Sequence, residues 1–125
     1  MKTERELFNY LKQIIPDLRK SEDQFSSWDC SSQLLKARIE LKCRCKHYEE
    51  LIIEQIKYDN LIRYKTPLYI NSTPKGVYLW KLKEQSIEWS ERPLPKTTDF
   101  KTNENVNKIV GYLSIKNAFI IDLFS

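Results

Sequence analysis

The chain is predicted to form a single α/β domain, residues 1–125, on three observations. Helical and strand periodicities alternate in the order helix, hairpin, helix, hairpin, mixed tail. A length of 125 residues, 41% of them hydrophobic, is enough for one buried core and too short for two of ordinary size. No internal repeat or low-complexity tract breaks that order.

The first element is a helix in "TERELFNYLKQII". Leu7, Phe8, Leu11, Ile14 and Ile15 recur at helical spacing, Thr3 followed by Glu6 is a capping-box pattern, and Pro16 closes the segment. "DLRKSEDQ" is a polar connector, and "FSSWDC" is expected to begin a strand. The better-defined strand runs from Leu34 to Cys45, and Ser31, Ser32 and Gln33 between the two suggest a hairpin. From His47 to Arg63 the period becomes helical again, with Leu51, Ile52, Ile56 and Ile62 on one side. "PLYINSTPKGVYLWKL" reads as two strands joined at Thr73-Pro74-Lys75-Gly76, a stretch rich in turn formers. The tail is read as a Pro-containing loop, a short helix from Val106 to Tyr112 and a last strand from Ala118 to Leu123.

A formal net charge of +4 permits a polyanionic partner without demanding one. The longest apolar runs, such as "AFII", fall far short of the roughly 20 residues that cross a bilayer. No membrane association is expected. "MKTERELFNY" has no apolar stretch of the kind found in a secretory signal, and three cysteines, an odd number, fit reduced thiols. The expected compartment is therefore the cytoplasm, the host's if the chain is viral.

"KARIELKCRC" carries the chemistry. Side chains alternate across a strand, so Ala37, Ile39, Leu41, Cys43 and Cys45 share one face, expected against the core, while Arg38, Glu40, Lys42 and Arg44 share the other. Glu40 and Lys42 then project side by side, roughly 6–7 Å apart at the backbone. A carboxylate is a hard oxygen ligand for Mg²⁺, and an ammonium one pleat on orients a water or offsets charge developing on a phosphate. An exposed ion pair is the ordinary account of such a tripeptide. Asp29, eleven residues before Glu40 across the expected hairpin, brings a second carboxylate, although an Asp there also suits a turn.

Together Trp28-Asp29 and Glu40-Leu41-Lys42 resemble the PD-(D/E)xK nuclease motif, with Trp28 where the motif has proline. "TERELFNYL" is similar to the first helix of the archaeal Holliday junction resolvase branch of that superfamily, and within the superfamily the chain most resembles those resolvase-like and the VRR-NUC-like small nucleases. The position matching the metal-site glutamate is Glu4, which the helix dipole alone would also favour. Gln55 and Tyr58 in "EQIKY" resemble the Q-x-x-Y feature of RecB- and lambda-exonuclease-type members, and a boundary glutamine bonded to backbone is the alternative. The resemblance covers about residues 3 to 82; nothing from Ser86 onward matches it.

The resemblance implies a restriction-endonuclease-like core, a central mixed β-sheet flanked by helices. It implies Mg²⁺ or Mn²⁺ held by Asp29, Glu40 and the backbone carbonyl of Leu41, with Glu4 acting through water. Lys42 would position the attacking water, and Gln55 would complete a catalytic set of Glu4, Asp29, Glu40, Lys42 and Gln55. The implied reaction is hydrolysis of phosphodiester bonds in nucleic acid, with DNA the expected substrate, and a homodimer would suit the cutting of two strands. Arg38, Arg44, Lys46 and Lys57 are candidates for phosphate contact.

Two other functions are weighed against it. A non-catalytic nucleic-acid-binding protein on the same scaffold would show salt-dependent binding without cleavage. A zinc-stapled hairpin could draw on Cys30, Cys43, Cys45 and His47, but strand parity sends Cys43 and Cys45 to the core, where free cysteine packs as a small hydrophobe. His47 is expected to start the second helix. Tyr69, Tyr78, Trp80 and Trp89 suit packing in strands better than base stacking.

Overall fold

Helix α1 (Glu4–Ile14) forms as its sequence directs, in a computed structural model that describes residues 1–22, 29–95 and 105–124. Thr3 Oγ1 accepts the Glu6 N–H at 3.1 Å, the first half of the expected capping box, while the Glu6 carboxylate accepts from the Thr3 hydroxyl and the Lys2 N–H in place of the Thr3 N–H. Leu7, Phe8 and Leu11 are buried, whereas Ile14 is 53% exposed because the helix ends before Pro16 and its last turn overhangs the core.

Next come β1 (Arg19–Lys20), β2 (Cys30–Ser32) and β3 (Ala37–Cys43). The expected β2–β3 hairpin is present, shorter than the sequence suggested, with Ser31 and Ser32 inside β2 and the turn at 33–36. Asp17 braces that turn: its carboxylate accepts the Ser32 hydroxyl at 2.7 Å and the Leu34 N–H at 2.9 Å, which holds it below the usual carboxylate range. Trp28 and the expected strand start at Phe25 lie outside the described residues, and the expected Pro-containing loop is in part a strand, Ser90–Pro95, which carries both Pro93 and Pro95.

The remaining elements are β4 (Glu50–Glu54), α2 (Gln55–Leu61), β5 (Pro67–Thr73), β6 (Gly76–Lys81), β7 (Ser90–Pro95), β8 (Asn105–Ser114) and β9 (Phe119–Leu123). The β5–β6 hairpin and the last strand stand where the sequence put them. Two expected helices do not. The segment from His47 to Arg63 is a strand followed by a short helix, and Val106 to Tyr112 lies inside β8. The apolar run "LII" suits either period, and the spacing of Val106, Val110 and Leu113 suits a helix. What decides is that β4 and β8 pair with each other, Leu51 opposite Leu113 and Ile53 opposite Gly111, a partnership about 60 residues apart that local periodicity does not register.

The main sheet has six strands in the order β1-β2-β3-β5-β6-β9 and is mixed, with β3 and β5 parallel and the other neighbours antiparallel. One face packs on α1, joining Leu7, Phe8 and Leu11 to Ile39, Leu41, Leu68, Ile70 and Val77. The other is covered by a second sheet, β4-β8-β7, and by α2, around Tyr69, Tyr78 and Trp80 with Leu51, Ile53, Leu61 and Leu113. The expected α/β class with a central mixed sheet is therefore observed, and the tail unassigned from sequence supplies most of the second covering layer. The aromatics pack as expected: Tyr69, Tyr78 and Trp80 are buried, the Trp80 indole donates to the Ser114 carbonyl at 2.9 Å, and Trp89 meets Tyr58 edge to face. No described helix is long and apolar enough to cross a membrane.

Gly76 opens β6 where β9 passes close by; a Cβ there would collide with the Asp122 backbone carbonyl. Backbone yields less readily than a side chain. Gly76→Ala is expected to destabilise the protein by about 1–3 kcal/mol, read as a lower urea midpoint at unchanged slope.

Candidate active site

Glu40 sits in the middle of β3, in register with Tyr69 of β5, on the face covered by the second sheet and α2. It is 8% exposed, a buried carboxyl where an exposed ion pair is the commoner outcome. Asp29 lies just before β2. Its N–H donates to the Ile39 carbonyl at 2.8 Å, and its Oδ2 accepts the Leu41 N–H at 2.8 Å. β2 has ended at that point, so the Asp29 side chain takes the place of a neighbouring strand. N–H and C=O of one residue leave an extended strand on the same side, so the Leu41 carbonyl also emerges beside Asp29.

The carboxyls of Asp29 and Glu40 come within hydrogen-bonding reach of each other. Burial first, and then the neighbouring Asp29 charge, push the Glu40 carboxyl up to about 8; Lys57 opposes, its Nζ 3.6 Å from Glu40 Oε1. Glu4, in the first turn of α1, joins the edge of this cluster. Its carboxyl is raised by burial and by Asp29, and lowered by Lys42 and Lys57. Four of the five expected site residues, Glu4, Asp29, Glu40 and Lys42, thus share one electrostatic neighbourhood.

Gln55 is placed elsewhere. It opens α2, half-buried, and lines a shallow pocket with Glu54, Ile56, Asp59, Lys108 and Ile109; among the described residues it makes no side-chain hydrogen bond. Lys57, two residues on, is the α2 residue that reaches Glu40, and the sequence offered it only as a phosphate contact. Tyr69 and Asn71 were missed as well. An asparagine within the otherwise apolar run "PLYIN" was the available signal, since a buried amide requires partners.

The Arg38–Arg44 face is not the solvated one that charge alone would suggest. Arg44 is half-buried, its Nε donating to Asn71 Oδ1 at 2.9 Å and its Nη2 to the Ile52 carbonyl at 2.6 Å and to the Tyr69 hydroxyl at 3.0 Å. Cysteine placement also departs from expectation. Cys30 is buried and Cys43 half-buried against the α1 core, but Cys45 is exposed, because pairing with β5 ends at Cys43 and strand parity ends with it. His47 precedes β4 instead of starting a helix, its Nδ1 2.8 Å from Thr73 Oγ1. A thiol reagent is expected to label Cys45 rapidly in the native protein, with the fast phase lost in Cys45→Ser. Cys30, buried and with its thiol pushed up to about 12, should react only on unfolding.

Neither a protein-family model nor a curated protein sequence matches the chain. The architecture, however, is similar to that of Hjc from Archaeoglobus fulgidus, a Holliday junction resolvase from an archaeal hyperthermophile. The TM-score is 0.59 at 11% identity, over 94% of this chain and 91% of that one. The fold is shared with a Holliday junction resolvase. On this resolvase fold the correspondence takes in more than residues 3 to 82, so part of the tail belongs to it too.

Among the described residues no three His, Cys, Asp or Glu side chains converge closely enough to form a metal cage unaided. The donors on hand are the two carboxyls of Asp29 and Glu40, with the Leu41 carbonyl on the Asp29 side of β3. That set suits Mg²⁺, which is commonly held by one or two carboxylates and keeps several waters.

Proposed function

We propose that this chain is a metal-dependent nuclease of the PD-(D/E)xK type that hydrolyses phosphodiester bonds of nucleic acid, with DNA its substrate. The reading rests on one observation: the Asp29 and Glu40 carboxyls meet on a resolvase fold, one pleat from Lys42. Two acids forced together with one of them buried are costly when both are ionised, and a divalent cation relieves that cost. Asp29, Glu40 and the Leu41 carbonyl would hold Mg²⁺ or Mn²⁺, with Glu4 reaching it through water. When bound, the ion supplies Lewis-acid stabilisation of charge on the phosphoryl oxygens.

The protein's own groups do the rest. Lys42, on the same face of β3 as Glu40, holds and orients the attacking water and offsets charge as it develops on the phosphate. Lys57, its Nζ 3.6 Å from Glu40, offsets the charge that Glu40 carries once it is ionised. A homodimer would set two such sites on the two strands of a duplex.

The test is incubation of the purified protein with labelled four-way junction, linear duplex, single-stranded DNA and RNA, in Mg²⁺, Mn²⁺ or EDTA. Cleavage of DNA that requires the metal is expected. Salt-dependent binding with no cleavage under any condition would shift the reading to a non-catalytic nucleic-acid-binding protein on the same scaffold. Neither binding nor cleavage would overturn both.

A further inference from the structure

Beyond the carboxylates, Arg44 follows directly on the end of β3, about 13 Å from Glu40 by the strand rise. There it enters a groove of about 940 Å³ between the end of β3, β4 and the β7–β8 hairpin. Arg44 is fixed by its three bonds to Asn71, Ile52 and Tyr69, and among the described residues its remaining nitrogen, Nη1, carries no hydrogen bond and is not sealed from solvent. A guanidinium so held has already lost its rotamer freedom, so it takes an anion at little further entropic cost.

The rest of the lining suits an unpaired nucleic-acid strand. Tyr48 is 58% exposed, and Arg92 lies over the Tyr112 ring, 5.7 Å from its centroid, while donating to its hydroxyl. Lys46 adds an exposed cation and Leu94 an apolar wall. The exposed acids Glu49 and Glu50 also border the groove, leaving three cations against two acids. With so small an excess, bulk charge does not decide the occupant. The fixed guanidinium and the exposed rings do, for a phosphate joined to a stackable base.

Resting on the nuclease reading above, we infer that this groove binds a single strand of nucleic acid leading away from the scissile bond. Arg44 Nη1 takes a backbone phosphate, Lys46 a neighbouring one, and Tyr48 and the Arg92–Tyr112 pair stack bases. In a duplex the base faces are already stacked, so the groove selects unpaired or branched substrate.

The experiment measures binding of fluorescein-labelled single-stranded DNA, duplex and four-way junction to the full chain in EDTA, and cleavage in Mg²⁺. Arg44→Ala removes contacts that hold β3 to β4 and is uninformative if the protein misfolds, so the exposed variants Tyr48→Ala, Arg92→Ala and Lys46→Ala carry the test. Tyr48→Ala and Arg92→Ala are each expected to weaken single-strand binding about 5- to 100-fold. Lys46→Ala should lower the salt slope of binding by about 1. In cleavage, KM should rise with kcat unchanged.

Wild-type binding and cleavage by all three variants would overturn the groove and leave the nuclease reading standing. Weakened binding by the variants of a protein that cleaves nothing would keep the groove and sink the nuclease. Polyglutamate competing as well as the oligonucleotide would assign the groove to an acidic peptide instead.

Discussion

Lys42→Ala is expected to lower metal-dependent cleavage by about 10²- to 10⁴-fold, the usual range for loss of a positioned proton-transfer or charge-stabilising group. The fold should survive. Lys42 is half-buried and makes no ion pair or hydrogen bond among the described residues, so its removal leaves no buried partner unsatisfied. An unchanged melting temperature with lost turnover is therefore the expected pair of results. Lys42→Arg should recover little, because a planar guanidinium does not place its charge where an ammonium does. Equal cleavage by wild type and Lys42→Ala would remove the assignment.

The second large effect concerns pH and needs no substrate. In the folded protein the Glu40 carboxyl keeps its proton to about pH 8, whereas an unfolded glutamate loses it near its ordinary value of 4.5. The folded state thus binds the extra proton over that interval, and stability falls as pH rises through it, levelling off above about 8. At about 1.4 kcal/mol per unit the total is roughly 3–5 kcal/mol. Glu4, raised in the same direction, adds to the slope. Glu40→Gln keeps the shape and cannot ionise, so in EDTA it should flatten the profile between pH 5 and 8 and exceed the wild type in melting temperature at pH 8. Mg²⁺ should stabilise the wild type more at pH 8 than at pH 6, and Glu40→Gln hardly at all. A wild-type profile as flat as that of Glu40→Gln would refute the buried acid pair.

How much of this was legible in the sequence differs by residue, for physical reasons. The Thr3 cap on the Glu6 N–H, the turn before Gly76 and the alternation of β3 are local properties, and each appears where neighbouring residues alone specify it. That parity placed Glu40 and Lys42 together and opposite Ile39 and Leu41. Asp29 was the least certain member, and what seats it is the Leu41 N–H left open where β2 stops, which is a property of strand length. β4 and β8 were read as helices because β4 is short and apolar, β8 carries Val106, Val110 and Leu113 at helical spacing, and each depends on the other for its strand form. Lys57 reaches Glu40 only because α2 begins after β4, so misplacing the start of the helix hid its partner. The need for glycine at position 111 of β8 is tertiary in the same way: a Cβ there would strike the Ile87 side chain and crowd Trp89, neighbours met only once the fold is in place.

The bond from the Tyr10 hydroxyl to Asp122, 2.5 Å long, joins positions 112 residues apart and raises the tyrosine to about 12. Its consequence is kinetic. The main sheet gains its β9 edge across that separation, so a long chain closure precedes the contacts that reward it, the condition for folding in the slower, non-local regime. During synthesis, the segment from Glu4 to Lys42 that bears the carboxylates is made before β9. The β6 edge and Tyr10 wait for residues 119 to 123, so the scaffold beneath the site is completed only when the final strand arrives.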